Sequence, residues 1–339
     1  MPALPAHASL DRLRHQATDL LHAARHGESA AQAALTALSA RPTLVTARLA
    51  VARGYGFAGW ARLEVEVERR EILDGGDVDQ LTAFLADHPG LATEPMDHWR
   101  DQPKGATPLG YVAMLRYDTA GRVWRDMPGT GGMARALLAA GALVDGRPED
   151  LETPLATAAS YGDAEVAAVL IAAGADLDAT AAPTSGGVPG GTALWHAAVF
   201  GLTTVLARAG ARVGGIAEAA AVGDVTGWLR PDTPPQERVR ALVMAADHQR
   251  LDVIDQLLDA GTPVDATDAR WGRQALRQAA MNGRVASVTH LIARGADPDH
   301  RDLTEHRTAL ELCRLHDTGT SPDHARVEAI LAPITTAAE

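Results

Sequence analysis

A short sequence pattern returns along most of the chain, and each copy is long enough for a pair of short helices. Two clear copies are ETPLATAASYG (152–162) and RQALRQAAMNG (273–283). In the last three copies, the residue at the turn position is Gln249, Gly283 or Asp317, at a constant spacing of 34 residues. Repetition at this period indicates stacked units, each too small to bury its apolar face without its neighbours.

Within one copy, the residue types suit two short helices joined by a tight turn. Thr107, Thr153 and Thr192 stand where a helix N-cap is needed, and a proline follows the first two at the first helical position. Alanine pairs such as 158–159 let neighbouring helices approach closely, and aliphatic residues at helical spacing follow in the second helix. A glycine such as Gly174 then turns the chain into a hairpin finger.

This pattern resembles the ankyrin repeat, T-P-L-H-x-A-A-x-x-G followed by a second helix and G-A-D-x-N/D-A. The resemblance covers about residues 105–317, with a weaker unit at 75–92. It implies an all-α ankyrin-repeat solenoid in which fingers and first helices line a concave groove. The histidine of TPLH is replaced throughout, and its family hydrogen bonds are expected to be absent or replaced; its positions hold Gly110, Ala156, Trp195, Val243, Arg277 and Glu311.

The pattern divides the chain into three predicted parts. Residues 1–74 have helical spacing of their own and are predicted to form an N-terminal helical cap. Within them, ARGYGFAGWARL (52–63) looks like the segment that precedes many bacterial ankyrin arrays. Residues 75–317 form the predicted array, and 318–339 a C-terminal cap helix and tail. Three insertions interrupt the array, at 116–133, 179–192 and 230–238.

One central repeat is shorter than its neighbour. Thr153 and Gly174 are 21 residues apart, whereas Thr192 and Gly210 are 18 apart, a difference of close to one helical turn. The shortening either bends the stack and creates a pocket or accommodates a helix predicted at 216–230. We favour the second interpretation, because repeat arrays tolerate irregular units.

Composition limits the classes of partner. The chain has 31 Lys and Arg against 43 Asp and Glu, a formal charge of −12, which argues against nucleic acid or an anionic membrane as the main partner. The only cysteine is Cys313, and the N-terminal residues lack the apolar segment of a secretion signal, so we expect a cytoplasmic protein. His22 and His26 have metal-binding spacing but no third ligand nearby, and neither a metal site nor a cofactor is predicted.

Carried over position by position, the ankyrin resemblance assigns a row of residues to the groove. The predicted binding residues are Tyr111, Tyr161, Trp195, Phe200, His248, Trp271, Arg273, Asn282 and His316. His196, Asp247 and His248 are the candidates for acid–base chemistry. Adjacent residues on a helix point about 100° apart, so we favour Asp247 and His248 as separate groove residues over a catalytic pair.

The leading functional prediction is a non-catalytic scaffold that binds a protein partner in the concave groove. It rests on the architecture that the resemblance implies, because fold alone does not fix function. The alternative is a cofactor-free small-molecule binder or tailoring enzyme, with proton-transfer, isomerase or cyclase chemistry in a pocket at the irregular central repeats.

Overall fold

The computed structural model describes residues 2–102, 105–118, 123–200, 202–301, 306–319 and 322–336. Within these ranges the chain forms eighteen α-helices, one short 3-10 helix and two ribbons of paired two-residue strands, which confirms the predicted all-α class. The chain divides into two compact units, Met1–Gly190 and Gly191–Glu339. None of the described helices is both long enough and apolar enough to cross a bilayer.

The first unit is built from helices that pack mainly against the next helix in sequence or the one after it. Its α-helices are α1 (Leu10–Arg25), α2 (Ser29–Thr36), α3 (Leu44–Gly54), α4 (Trp60–Gly75), α5 (Val78–Asp87), α6 (Pro108–Met114), α7 (Thr130–Ala139), α8 (Pro154–Ser160) and α9 (Ala164–Ala172). The 3-10 helix (Pro89–Ala92) follows α5. Strands β1 (Tyr117–Asp118) and β2 (Val123–Trp124) lie within the predicted insertion at 116–133, and α7 begins before that insertion ends.

The predicted N-caps are present in the first unit. The Thr107 hydroxyl accepts a hydrogen bond from the Gly110 amide at 3.3 Å, and that of Thr153 from the Ala156 amide at 3.1 Å. Each threonine is followed by proline at the first helical position. The Thr-Pro pairs therefore begin α6 and α8, as the sequence predicts.

Helix α4 connects the N-terminal helices to the repeats. Its buried Glu66 accepts hydrogen bonds from the Trp99 indole and from the Arg69 guanidinium, at 2.8 Å each. Trp99 lies in the finger before α6, where His98 and Arg100 pair with the backbone of Leu4. The predicted boundary between cap and array, at residue 74, falls one residue before α4 ends. Helix α4 packs against α5, and the two form a helix pair. The division into cap, array and closing helix stays a prediction.

The second unit continues the helix pairs. Its helices are α10 (Ala193–Phe200), α11 (Thr203–Ala209), α12 (Ile216–Val222), α13 (Pro235–Asp247), α14 (Leu251–Asp259), α15 (Ala275–Met281), α16 (Val285–Ala293), α17 (Ala309–His316) and α18 (Pro322–Leu331). Strands β3 (Thr267–Asp268) and β4 (Arg273–Gln274) form the finger between α14 and α15. We call α10, α12, α13, α15 and α17 the first helices and α11, α14, α16 and α18 the second helices.

Alanine contacts hold the first helices together. Ala245 and Ala246 on α13 and Ala279 and Ala280 on α15 are completely buried in one apolar core. Small side chains allow the two helices to approach closely, which is the packing that the repeated alanine pairs predict. Fingers are also joined, because the Asp265 carboxylate accepts the Asp297 amide at 3.1 Å.

The irregular repeat differs from its prediction. The helix expected at 216–230 ends at Val222, where Gly223 takes a left-handed conformation with φ of 113°. The chain then passes through turns to Pro235 and does not form a second helix before α13. The predicted insertion at 230–238 supplies the first turn of α13, which is why α13 has 13 residues.

Candidate functional site

Two tryptophans stack at the finger end of the second unit. The ring centroids of Trp195 and Trp271 are 5.7 Å apart, and their planes differ by 29°. Trp195 lies in the first turn of α10, and Trp271 lies in the turn between β3 and β4. Both side chains are half-buried, so the pair presents part of its ring surface to solvent.

Three arginines surround the Trp271 ring. The guanidinium carbons of Arg240, Arg270 and Arg273 lie 5.3, 5.9 and 6.0 Å from its centroid. These distances are within the range of cation–π attraction, worth about 0.5–1 kcal/mol each at exposed sites. We call this group the Trp271 surface; it consists of Trp195, Arg240, Arg270, Trp271 and Arg273.

A buried carboxylate fixes the geometry of this surface. Asp268 is completely buried; its Oδ1 accepts a hydrogen bond from Nη2 of Arg240 at 3.1 Å, and its Oδ2 accepts one from the Trp271 amide at 2.9 Å. The turn closes with a hydrogen bond from the Gly272 amide to the Asp268 carbonyl at 2.8 Å, and Gly272 has a φ of 63°. Trp271 and Arg240 are therefore held in place by one residue.

Trp195 occupies the position of the ankyrin histidine in TPLH. Its amide donates to the hydroxyl of Thr192 at 3.2 Å, which caps α10 as predicted. The indole ring contacts the finger of the later repeat through Trp271. The sequence left open whether the histidine hydrogen bonds are lost or replaced at this position. Here, aromatic stacking between Trp195 and Trp271 links the two repeats.

Asp247 lies at the opposite end of the first helices. Its carboxylate is 4% exposed and accepts hydrogen bonds from Gln278 and Asn282 at 2.8 Å each and from Arg284 at 3.1 Å. All three donors belong to the next repeat, on α15 or just before α16. Asp247 thus connects two repeats, and we assign it no catalytic role.

His248 makes contacts with the repeat on the other side. Its Nε2 lies 2.8 Å from the Ala198 carbonyl on α10, and its Nδ1 lies 3.4 Å from the Thr203 hydroxyl. Because a carbonyl can only accept, Nε2 carries the proton. Burial lowers the pKa of His248, against smaller opposing effects from the Ala198 hydrogen bond and the Asp247 charge.

The predicted groove row therefore falls on two separate surfaces in the second unit. Trp195, Trp271 and Arg273 come together at the finger end, whereas His248, Asn282 and His316 lie where each first helix ends. On α13, Arg240 at one surface and Asp247 at the other are seven residues apart, or about 10 Å along the helix. The single groove row stays a prediction, and its members in the second unit lie at both ends of the first helices.

The remaining predicted residues have different surroundings. Tyr111 is 3% exposed, its hydroxyl donates to Asp74, and Arg70 lies over its ring at 4.5 Å. Tyr161 stacks on Tyr117 with centroids 5.8 Å apart. His196 is completely buried in α10, so its ring has no exposed surface for a substrate. The side chain of Phe200 lies outside the described part of the chain.

Sequence reasoning missed three members of the site, namely Arg240, Asp268 and Arg270. Arg240 opens the repeat segment RALVMAADHQ (240–249), after the predicted insertion, and its partner Asp268 lies 28 residues further along the chain. The stretch DARWGR (268–273) contains an aspartate three residues before a tryptophan that two arginines flank. An aspartate at that position commonly accepts backbone amides of its own turn, which could have identified Asp268 as the anchor of the finger.

In the part of the chain that the structure describes, no three His, Cys, Asp or Glu side chains come together as a set of metal ligands. His22 and His26 stack on each other with centroids 3.9 Å apart on the exposed face of α1.

Comparison with known proteins identifies the repeats. The family of ankyrin repeats in many copies matches residues 242–292, and the single ankyrin repeat matches residues 150–182. A zebrafish (Danio rerio) protein, ankyrin repeat and SAM domain-containing protein 6, is 39% identical over 74 residues, which is 22% of this chain. The match spans 10% of that relative's length. The crystal structure of the human ASB11 ankyrin repeat domain aligns with a TM-score of 0.40 and 20% identity, over 79% of this chain and 98% of that one.

These matches define a class of helical repeat protein whose units are short helix pairs joined by fingers. The chain contains ankyrin repeats, matched at residues 150–182 and 242–292. The sequence prediction of this family, made from the Thr-Pro pairs and the repeated glycine turns, is confirmed.

Proposed function

We propose that the chain is a non-catalytic scaffold that binds a protein partner, and that the Trp271 surface is its principal contact site. Ankyrin repeats in general mediate contacts between proteins, which supports the class of function. The observation that carries the proposal is the stacked pair of Trp195 and Trp271 at the finger end, with Arg240 and Asp268 holding it in place. We further propose that the chain acts in the cytoplasm, a reducing environment that suits its single cysteine.

Residue types and preorganisation both support this contact site. Tryptophan and arginine are the residues that most often dominate binding energy at protein interfaces. The Trp271 turn is already hydrogen-bonded to Asp268, so binding would order few additional groups. A half-buried indole also keeps apolar surface available at low conformational cost.

The candidate catalytic residues do not support a second function. Asp247 accepts three hydrogen bonds, both ring nitrogens of His248 face protein atoms, and His196 is completely buried. These contacts join repeats to each other, and we propose no acid–base role for them.

Site-specific photo-crosslinking tests the proposal. A benzophenone amino acid replaces Trp271 in one variant and Ala286, which is exposed on the second helix α16, in the control variant. After irradiation of cells that make either variant, we expect a defined protein adduct at position 271 that is at least about tenfold weaker at position 286, since hot spots are local. Equal adduct patterns at both positions would remove the support for this contact site.

A further inference from the structure

The charges of the Trp271 surface differ from the charge of the whole chain. The chain carries a formal charge of −12, yet three arginines meet at one indole ring. Arg240 is paired with the buried carboxylate of Asp268. Within the described residues, Arg270 and Arg273 form no salt bridge, so two positive charges at this surface are not neutralised.

The neighbouring carboxylate on the same finger is already engaged. Asp265 accepts a hydrogen bond from the Gln274 side chain at 2.8 Å and another from the Asp297 amide of the next finger at 3.1 Å. It therefore stabilises the spacing between fingers. Arg270 and Arg273, beside the Trp195–Trp271 pair, are therefore available to bind a group of another molecule.

The guanidinium groups of Arg270 and Arg273 still have donors for a ligand. A guanidinium group carries five N–H donors in a planar fork, and attraction to a ring face does not consume them. These donors match the two oxygens of a carboxylate in a bidentate pair. The indole edges between them offer apolar surface for an adjacent side chain.

We propose that the Trp271 surface binds an acidic segment of a partner protein, with two carboxylates on Arg270 and Arg273 and an apolar side chain against the Trp195–Trp271 pair. This inference rests on the proposed scaffold function and adds the chemistry of the partner. A quaternary ammonium ligand is disfavoured, because cations already surround the ring. Single-stranded nucleic acid also stacks on aromatic rings, but its backbone needs a track of cations, whereas two unpaired arginines on a chain of charge −12 do not form one.

A random peptide library displayed on phage is the direct probe. The library is selected on the full chain and counter-selected on Trp271→Ala, and enriched peptides are then synthesised and titrated by fluorescence anisotropy. We expect enriched sequences with paired Asp or Glu beside Leu, Phe or Trp. We expect Arg270→Glu and Arg273→Glu each to weaken binding at least about tenfold, with the loss concentrated at low salt.

Control variants separate folding from binding. Arg208→Glu makes the same charge change on α11, at an exposed position away from the fingers, and is expected to change affinity less than about twofold. Trp271→Phe keeps an aromatic ring and should retain part of the affinity that Trp271→Ala loses. Circular dichroism of each variant establishes that the helices are intact.

Each outcome has a separate meaning. Trp271-dependent peptides without an excess of Asp or Glu would overturn the acidic partner and keep the scaffold function. Failure to enrich any Trp271-dependent peptide would count against the scaffold function itself. Tighter and Trp271-dependent binding of single-stranded oligothymidylate, titrated in parallel, would overturn the acidic protein in favour of nucleic acid.

Discussion

Asp247 and His248 are neighbours in the chain, but their side chains bind repeats on opposite sides. Asp247 accepts hydrogen bonds from Gln278 and Asn282 of the following repeat, whereas His248 contacts Ala198 on α10 and Thr203 on α11. Helix α12, which has no second helix of its own in the described chain, lies between α10 and α13 in sequence. The two residues therefore join the regular repeats to the irregular one.

Arg250 adds to this connection. Its Nε donates to the Ala221 carbonyl at 2.9 Å, and its Nη2 donates to the Thr204 hydroxyl at 3.2 Å. Arg250 thus reaches α12 and α11, where a second helix would stand in a regular unit. His248 at the end of α13 and Arg250 at the start of α14 therefore bridge the short repeat.

Replacing Asp247 is predicted to destabilise the second unit. Asp247→Ala leaves three donors without their acceptor, and the free energy of unfolding should fall by about 2–4 kcal/mol. Asp247→Asn, which keeps one carbonyl oxygen, should lose less. Urea denaturation followed by circular dichroism measures the change, with exposed Asp232→Asn as the control. A loss for Asp247→Ala no greater than for that control would contradict the role given to Asp247.

Protonation of His248 is predicted to weaken the fold at mildly acidic pH. Burial lowers the pKa of His248 in the folded chain below its ordinary value of 6.5, so the unfolded chain binds this proton more readily. The contribution of neutral His248 to the free energy of unfolding is fully present above about pH 6.5. It is lost as the pH falls toward the lowered pKa of His248 in the folded chain.

Variant His248→Gln tests this pH dependence. The Gln amide can donate to the Ala198 carbonyl but does not titrate. Between pH 7.5 and 5.5, the wild-type chain should lose more stability than His248→Gln, as measured by thermal melts across that pH range. Parallel pH profiles for the two proteins would show that His248 makes no such contribution.

The thiol of Cys313 is predicted to be unreactive in the folded chain. Cys313 is 1% exposed, its Sγ donates to the His324 carbonyl at 3.3 Å, and burial raises its pKa to about 11. At pH 8, labelling by a disulfide reagent should require opening of the contact between α17 and α18. Val327→Ala, which removes buried contacts of α18, should accelerate labelling at least about tenfold. Equally rapid labelling of native and urea-unfolded protein would contradict this burial.

Glu66 is predicted to hold α4 to the finger before α6. Glu66→Ala leaves the guanidinium of Arg69 and the indole of Trp99 without their carboxylate and should cost about 3–5 kcal/mol. Amide hydrogen exchange should increase at residues 96–101 in this variant. The control is Glu68→Gln on the exposed face of the same helix. Unchanged exchange at residues 96–101 would show that contacts other than those of Glu66 hold α4 to this finger.

The repeated units could be predicted from sequence because each depends on local rules. A threonine before a proline caps a helix, and paired alanines allow close packing, so α6, α8 and the core of α13 and α15 follow from residue type. Helix α12 could not be predicted in length, since the apolar residues after Gly223 continue a helical spacing. The backbone reversal at Gly223, stabilised by contacts with Arg250 from a distant part of the chain, ends it.

The site was only partly predictable for a related reason. Register along a repeat indicates which residues occupy equivalent positions, and it places Trp195 and Trp271 in the predicted row. It does not indicate which partner a long side chain will choose. Arg240 reaches the finger of the next repeat because Asp268 is buried there, a contact across 28 residues that no local pattern contains.

Hydrogen exchange of the chain in complex with its cross-linked partner protein is the most direct measurement of the scaffold proposal. We predict slower exchange of the backbone amides at 267–274 in the complex, together with those at the start of α10, and little change in α14 and α16. Protection confined to α14 and α16, with unchanged exchange around Trp271, would contradict the proposed binding surface.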